Sequence, residues 1–573
     1  MSKELRNPGD PVENLAIGTI VEVDGTHLVA ELDPSISELT RVYAGDIYAI
    51  GQFGSIIRIH FGRRIIYGYV CRLRMKSEYD REHGIASSAP PTARIIEADL
   101  FGEGEWGYTE QTSSIEWKLN FERGVSTFPL PQQKVYLTPK SELSYIFGQG
   151  GPAAVEIGEH VGAGGTPCYA DMNELLGKHT AVLGSTGAGK SGTVAAILHC
   201  LLERGEKRGY EKWNPRIVLL DPHDEYGDAF PGHQRLSTDE GTLSLPYWLL
   251  NFQELIALLI GKTEFVATSQ ANIVKTALLE GRQKAAETLG LDKDAITVDS
   301  PVPFSLKEFA GHIDASKPSQ ASKQDSHNSI LQKLEVLQND ARQRFMMTPW
   351  DETSDPFGDI VAQFMGDGDP LRIVDLSGVP NEVAGAASSA IARTLFSVKL
   401  WQSADERQTS PMLLVCEEAH RYVPNRGEAQ YEAAQEAIRR LAKEGRKYGI
   451  GLMLVSQRPS EVEATVLSQC NSWLVMRITN DADREHVRSI LPDSLSGLTK
   501  VLSGLRRREA IFVGQAAMLP SRILIKCLDH DKLPRSHDID FDQGWQCDPV
   551  TPEKLHEIGT RWRLQQRSGR TAE

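Results

Sequence analysis

The run Gly184, Ser185, Thr186, Gly187, Ala188, Gly189, Lys190, Ser191 constrains this chain more than any other eight residues in it. It follows the apolar stretch HTAVL and precedes TVAAILHCLLERG, so it joins a strand to a helix. In that setting the glycines let successive backbone N–H groups curl around phosphate oxygens, and the helix N-terminus adds a favourable dipole. The pattern assigns Lys190 to the terminal phosphates and the Ser191 hydroxyl to magnesium. A phosphate-bearing ligand on an α/β sheet is the expectation.

The rest of the chain keeps the same rhythm. From about residue 171, short apolar strands alternate with helical stretches: HTAVLG, RIVLLD, LRIVDL, MLLVCE, GLMLVSQ and SWLVMRI, ending at Gly184, Asp221, Leu376, Glu417, Gln457 and Ile478. Their Val, Ile and Leu content suits strands buried on both faces of a mainly parallel sheet. The long interruption between the second and third strands is patterned as helix around Ala271 to Leu289 and Ile330 to Phe345. It is too long for a crossover and predicts a helical insertion at about 250–350. Within it, Ala315 to Asn328 is almost free of apolar residues and reads as a mobile loop.

Ahead of this core, short β-type segments at Ile17–Val23, Leu28–Leu32, Ile47–Ile50, Ser55–Phe61, Ile65–Leu73 and Lys134–Leu137 argue for a small antiparallel barrel or sandwich. In SIIRIHFG, Ile57, Ile59 and Phe61 alternate with Arg58 and His60, the pattern of a half-buried strand. The expected divisions are a β-barrel domain at 1–140, a glycine-rich linker at 141–170, an α/β core at 171–527 and a C-terminal tail or strap at 528–573, with a short helix near Pro552–Leu564.

Three further stretches bear chemistry. MLLVCEEAH delivers Glu417 and Glu418 at a strand's carboxyl end, where ligands of open sheets sit. Glu417 is assigned to the magnesium shell and Glu418 to polarising an attacking water. The run from Arg439 to Val462 ends a basic helix at Arg446 and Lys447, then a strand at Ser456 and Gln457. Gln457 suits a sensor of phosphate or lytic water, and Arg446 an arginine finger reaching a neighbouring subunit's nucleotide. DPHDEYG places His223 and Glu225 beside the same sheet edge, at the nucleotide or a subunit boundary. Arg426, in the loop NRGEAQ, is a candidate contact to a polyanion.

With 62 basic and 77 acidic residues the formal net charge is −15, so a nucleic-acid partner needs a local basic surface. Seven cysteines without a CxxC pair suit reduced thiols rather than disulfides or zinc. No apolar run approaches the roughly 18 to 20 residues of a membrane span, and the start lacks a signal-like apolar core, so a soluble cytoplasmic protein without membrane contact is expected.

GSTGAGKS, DPHDEY, VCEEAHRYVP, GRKYGIGLMLVSQRPSEV and LSQCNSWLVMRITNDAD together resemble the HerA branch of the HerA/FtsK family of hexameric DNA-translocating ATPases. The likeness runs in order through about 171–527, and the β-rich start resembles the family's barrel. It implies a RecA-like P-loop ATPase core using ATP and Mg2+, a homohexamer with nucleotide at subunit boundaries, and a channel for double-stranded DNA. By position it carries over Lys190, Ser191, Glu418, Gln457 and Arg446 as the trans arginine. Glu417 departs from the Asp that many related ATPases carry. Relatives are often paired with a separately encoded nuclease or a sirtuin-like antiphage effector. A ring that only scaffolds such an effector is the rival reading, and a secretion or conjugation ATPase a weaker third.

Overall fold

The structure is a computed structural model and describes residues 7–36, 38–86, 90, 92–111, 114–147, 150–163, 165–260, 267–366, 368–379, 381–425, 432–491, 501–535 and 541–564. The chain divides into two units, Met1–Leu175 with Val182–Cys200 and Asn471–Cys527, and Leu176–Ala181 with Leu201–Cys470 and Leu528–Glu573.

The first unit opens with β1 (Ala16–Asp24), β2 (His27–Leu32), β3 (Thr40–Tyr43), β4 (Asp46–Ala49), β5 (Ile56–Phe61), β6 (Arg64–Met75), β7 (Arg94–Gln111), β8 (Ser114–Arg123) and β9 (Lys134–Leu137). Pairing runs β2–β1–β9–β5–β6–β7 and returns from β7 to β2, closing a six-stranded antiparallel barrel. Closure leaves these six strands no open edge. The first part of β7 pairs with β2, while Gly102–Gln111 runs on to pair with β8. Ile17, Ile20, Leu28, Ala30, Ile57, Ile59, Ile66, Val70, Ile96 and Val135 fill the interior.

The half-buried reading of β5 is corrected here. Arg58 is fully buried, and its guanidinium donates to Glu142 at 2.6 Å. The helix Lys140–Ile146 covers the outer face, where Leu143 and Ile146 pack with Ile56, Ile65 and Tyr67. A charge that alternation would leave in water is thus shielded and neutralised by a partner 84 residues away.

Further strands are β10 (Ala154–His160), β11 (Thr166–Asp171), β12 (Thr180–Leu183), β13 (Ile217–Asp221), β14 (Gln234–Ser237), β15 (Leu371–Asp375), β16 (Met412–Cys416), β17 (Ile450–Ser456), β18 (Ser472–Val475), β19 (Glu509–Gly514) and β20 (Ser521–Ile525). In the first unit, β11–β10–β20–β19–β18 form an antiparallel array, and the Met476 N–H donates to the Leu183 carbonyl of β12 at 2.7 Å. Residues 141–170 are therefore not a plain linker, since they hold most of a helix and β10, with β11 beginning inside them. The glycine content misleads because close packing, not flexibility, demands it: a Cβ on Gly158 would lie 2.1 Å from the Leu524 carbonyl oxygen.

In the second unit, β17–β16–β13–β15–β14 are parallel, each short and almost wholly buried apart from β14. Helices Asn381–Trp401 and Glu432–Glu444 belong to this layer, with Arg440 stacked over Phe396 at 4.7 Å. Between β14 and β15 come the helices Phe252–Leu259, Ala267–Thr288, Leu306–Ala315 and Asp325–Asn339. This insertion is anchored by buried Glu254, which accepts from Arg393 at 3.0 and 2.7 Å and from Ser389 at 2.8 Å. Buried Arg282 donates to the carbonyls of Trp248 and Leu250 at 3.0 and 2.8 Å. The stretch expected as a mobile loop instead contains a 3-10 turn at Ala321–Lys323 and the start of a helix at Asp325. Ile330, Leu334 and Leu337 bury that helix's apolar stripe, so packing downstream organises its polar first turn.

Candidate nucleotide site

In the first unit the phosphate loop leaves β12 at Gly184, and the helix Lys190–Leu202 begins on its lysine. Gly187 and Gly189 have φ of +74° and +96°, conformations that L side chains rarely adopt. The loop is tied down on both sides. Ser185 N–H donates to the Arg477 carbonyl at 2.8 Å, Thr479 N–H to Ser185 Oγ at 3.2 Å, and Arg508 N–H to the Ala188 carbonyl at 3.1 Å. Thr186 flanks the crest, Ala188 and Lys190 are buried, and Ser191 is half-buried at the helix start. Thr193 Oγ1 closes the first turn on the Gly189 carbonyl at 2.9 Å. The result is a rigid turn with its donors preset at a helix N-terminus.

In the second unit the acidic pair ends β16. Glu417 is 3% exposed and accepts from the buried Tyr226 hydroxyl at 3.0 Å. Glu418 sits at φ +53°, ψ 54°, a left-handed conformation costing a non-glycine residue about 1–2 kcal/mol. Strain of this kind collects where a side chain must be aimed. Its carboxylate accepts from Gln457 Nε2 at 2.5 Å and lies 3.3 Å from His420 Nδ1. Gln457 directly follows β17, the parallel neighbour of β16, so adjacent strand tips bring amide and acid together.

The DPHDEYG loop is shaped by Asp221, fully buried at the end of β13, which accepts the N–H groups of His223 at 3.2 Å and Tyr226 at 2.9 Å. Burial pushes its carboxyl up to about 6, against those hydrogen bonds. His223 is exposed, and the field of Glu418, Arg421 and His420 reaches it. Glu225 offers its carbonyl to Arg535 N–H at 2.7 Å, while Asp224 pairs with Arg235 at 2.7 Å.

Arg446 lies elsewhere. It is exposed in the turn Gly445–Tyr448 that precedes β17, and Gln457 follows that seven-residue strand. At about 3.3 Å per residue, roughly 20 Å separate the two ends. Arg426 lies outside the described residues. The motifs left Tyr226, His420 and Arg477 unassigned. All three fall within the quoted motifs, yet none was given a role, and Arg477 stands out there only as a basic residue closing an apolar strand.

Residues 155–395 match the family model described as Helicase HerA, central domain. A DNA double-strand break repair helicase HerA of Pyrococcus furiosus is 27% identical over 433 residues, 68% of this chain and 72% of the relative. A probable helicase of Methanocaldococcus jannaschii is 25% identical over 432 residues, 74% and 76% of the two chains. Among solved structures, VirB4 of Thermoanaerobacter pseudethanolicus aligns with a TM-score of 0.47 and 17% identity, covering 67% of this chain and 100% of that one. With its phosphate loop inside the matched central domain and its relatives following it for two thirds of its length or more, this chain is a P-loop ATPase that resembles the HerA helicases.

Proposed function

We propose that this protein is an ATP-driven motor that moves double-stranded DNA as a homohexamer, serving a separately encoded nuclease or antiphage effector. The observation that carries the motor reading is the 2.5 Å hydrogen bond from Gln457 to Glu418. An acid that polarises water, held by an amide on the next strand, couples the state of the phosphate to a movable strand tip. Lys190 and the loop N–H groups would hold the triphosphate, and Ser191 and Glu417 are the residues that would hold magnesium. That ion would offset phosphate charge and orient the terminal phosphate. The hydroxyl and carboxylate are the oxygen donors magnesium prefers. Arg446 acts on the neighbour's nucleotide, and His223 and Glu225 line that boundary. Double-stranded DNA as substrate follows the HerA relatives, named as DNA double-strand break repair helicases.

The test is ATP turnover with and without linear duplex DNA, for wild type and Glu418→Gln. A motor gives DNA-stimulated hydrolysis, and the variant binds ATP but loses at least about 100-fold in turnover. Hydrolysis indifferent to duplex, or a variant that still hydrolyses and translocates, overturns the reading and favours a nucleotide-switched scaffold.

A further inference from the structure

Four arginines lie on the two segments that touch the phosphate loop within the first unit, and they divide by partner. Arg506 pairs with Glu509 at 3.4 Å, and Arg508 donates to the Ile525 carbonyl at 2.7 Å. Arg477 and Arg507 have no side-chain hydrogen bond or ion pair among the described residues. In a chain with 77 acidic residues against 62 basic ones, two guanidinium groups without a side-chain partner among the described residues, beside one anion-binding turn, are candidates to meet an incoming phosphate. Their positions differ. Arg507 lays its stem along the loop, its Cγ 3.6 Å from where a Cβ on Gly189 would stand. Arg477 brings its head: Nη2 lies 3.9 Å from where a Cβ on Gly187 would stand.

We infer that Arg477 is a same-chain phosphate ligand, donating from the end of β18 to the outer phosphates of the nucleotide held by its own loop. The inference rests on reading that loop as the nucleotide site. Three features support it. The backbone of Arg477 is locked to the loop through the Ser185 N–H bond, so side chain and loop keep a fixed spacing. Met476, the preceding residue, packs against the start of the loop, its Cβ 2.8 Å from where a Cβ on Gly184 would stand, while the Arg477 head reaches Gly187. The guanidinium is a planar five-donor fork suited to bidentate phosphate binding. Lys190 supplies a point charge from the helix side, and Arg477 a fork from the strand side. This role is distinct from that of Arg446, which the length of β17 removes from its own chain's strand tips.

The experiment measures Mg·ATP and Mg·ADP binding by calorimetry, and KM for ATP, in wild type, Lys190→Ala, Arg477→Ala, Arg477→Lys and Arg488→Ala. Arg488 is an exposed residue paired with Glu485 and serves as control. Losing a charge-assisted hydrogen-bonding group weakens affinity by about 10- to 100-fold. Arg477→Ala should show that loss for both nucleotides with a matching rise in KM, Arg477→Lys an intermediate loss, and Arg488→Ala none. Thermal unfolding without nucleotide should coincide for wild type and both Arg477 variants, which separates a lost ligand from a damaged loop. If Lys190→Ala loses nucleotide but Arg477→Ala binds as wild type does, the inference fails and the site stands. If Lys190→Ala also binds normally, the reading of the loop itself fails. If Arg477→Ala does not fold, Arg477→Lys decides, because wild-type affinity in that variant leaves the guanidinium fork no role.

Discussion

Asp221 carries the clearest electrostatic consequence at the scale of one residue. Its carboxyl is fully buried at the end of β13, and burial, with Asp375 adding repulsion, raises its pKa to about 6 from the ordinary aspartate value of 3.8. A raised folded pKa means that the native state holds this proton more tightly than the unfolded chain does. The stabilising contribution is therefore complete below about pH 4 and is lost as pH rises through 6. Asp221→Asn keeps an acceptor oxygen and stays neutral, so it mimics the protonated form. Its unfolding free energy minus that of wild type should rise by roughly 3 kcal/mol between pH 4 and pH 7.5, two pKa units and a fraction at 1.36 kcal/mol each. Urea unfolding across that range checks this, and a flat difference would mean that Asp221 titrates as in solution. Retaining a costly carboxylate here is consistent with its second task, since the two N–H groups it accepts shape the loop carrying His223.

At the scale of elements, the helix Lys140–Ile146 shows how a strand's sequence pattern is overruled by what covers it. Glu142, 2% exposed, neutralises Arg58 and receives a hydrogen bond from the Tyr67 hydroxyl. Removing one member strands the other charge in the interior, so Glu142→Ala should destabilise the barrel by about 3–5 kcal/mol, whereas Arg58→Met with Glu142→Leu should regain most of it. Hydrogen exchange at the β5 and β6 amides of the whole chain reads this locally. Equal protection in Glu142→Ala and wild type would contradict it. This pair also marks what the sequence makes legible. The strands β12, β13, β15, β16, β17 and β18 announce themselves because burial on both faces makes them continuous apolar runs. The phosphate loop is legible because its chemistry is local. The antiparallel array of β10, β11, β19 and β20 is not, because its pairings join residues as distant as Gly158 and Ile525, and period-2 patterning cannot name a partner. Arg477 was hidden for the same reason: its meaning lies in proximity to a loop almost 300 residues earlier.

At the scale of the whole molecule, the position of Arg446 makes the proposed ring testable. β17 runs from the turn holding Arg446 to Gln457, and about 20 Å of extended strand cannot be folded away within one rigid sheet. An exposed arginine at that end serves no phosphate near its own chain's strand tips, but in a closed head-to-tail ring it is available to the next subunit. Homogeneous Lys190→Ala and Arg446→Ala proteins should each be nearly inactive, one for want of phosphate binding and the other for want of transition-state charge. In rings mixed one to one, about a quarter of boundaries join an intact lysine to an intact arginine, so turnover should recover toward a quarter of wild type. Native mass spectrometry establishes that mixing has occurred. If verified mixed hexamers recover nothing, Arg446 does not act across a boundary. If Arg446→Ala alone turns over ATP at the wild-type rate, its exposure at the base of β17 is only that of a solvated turn.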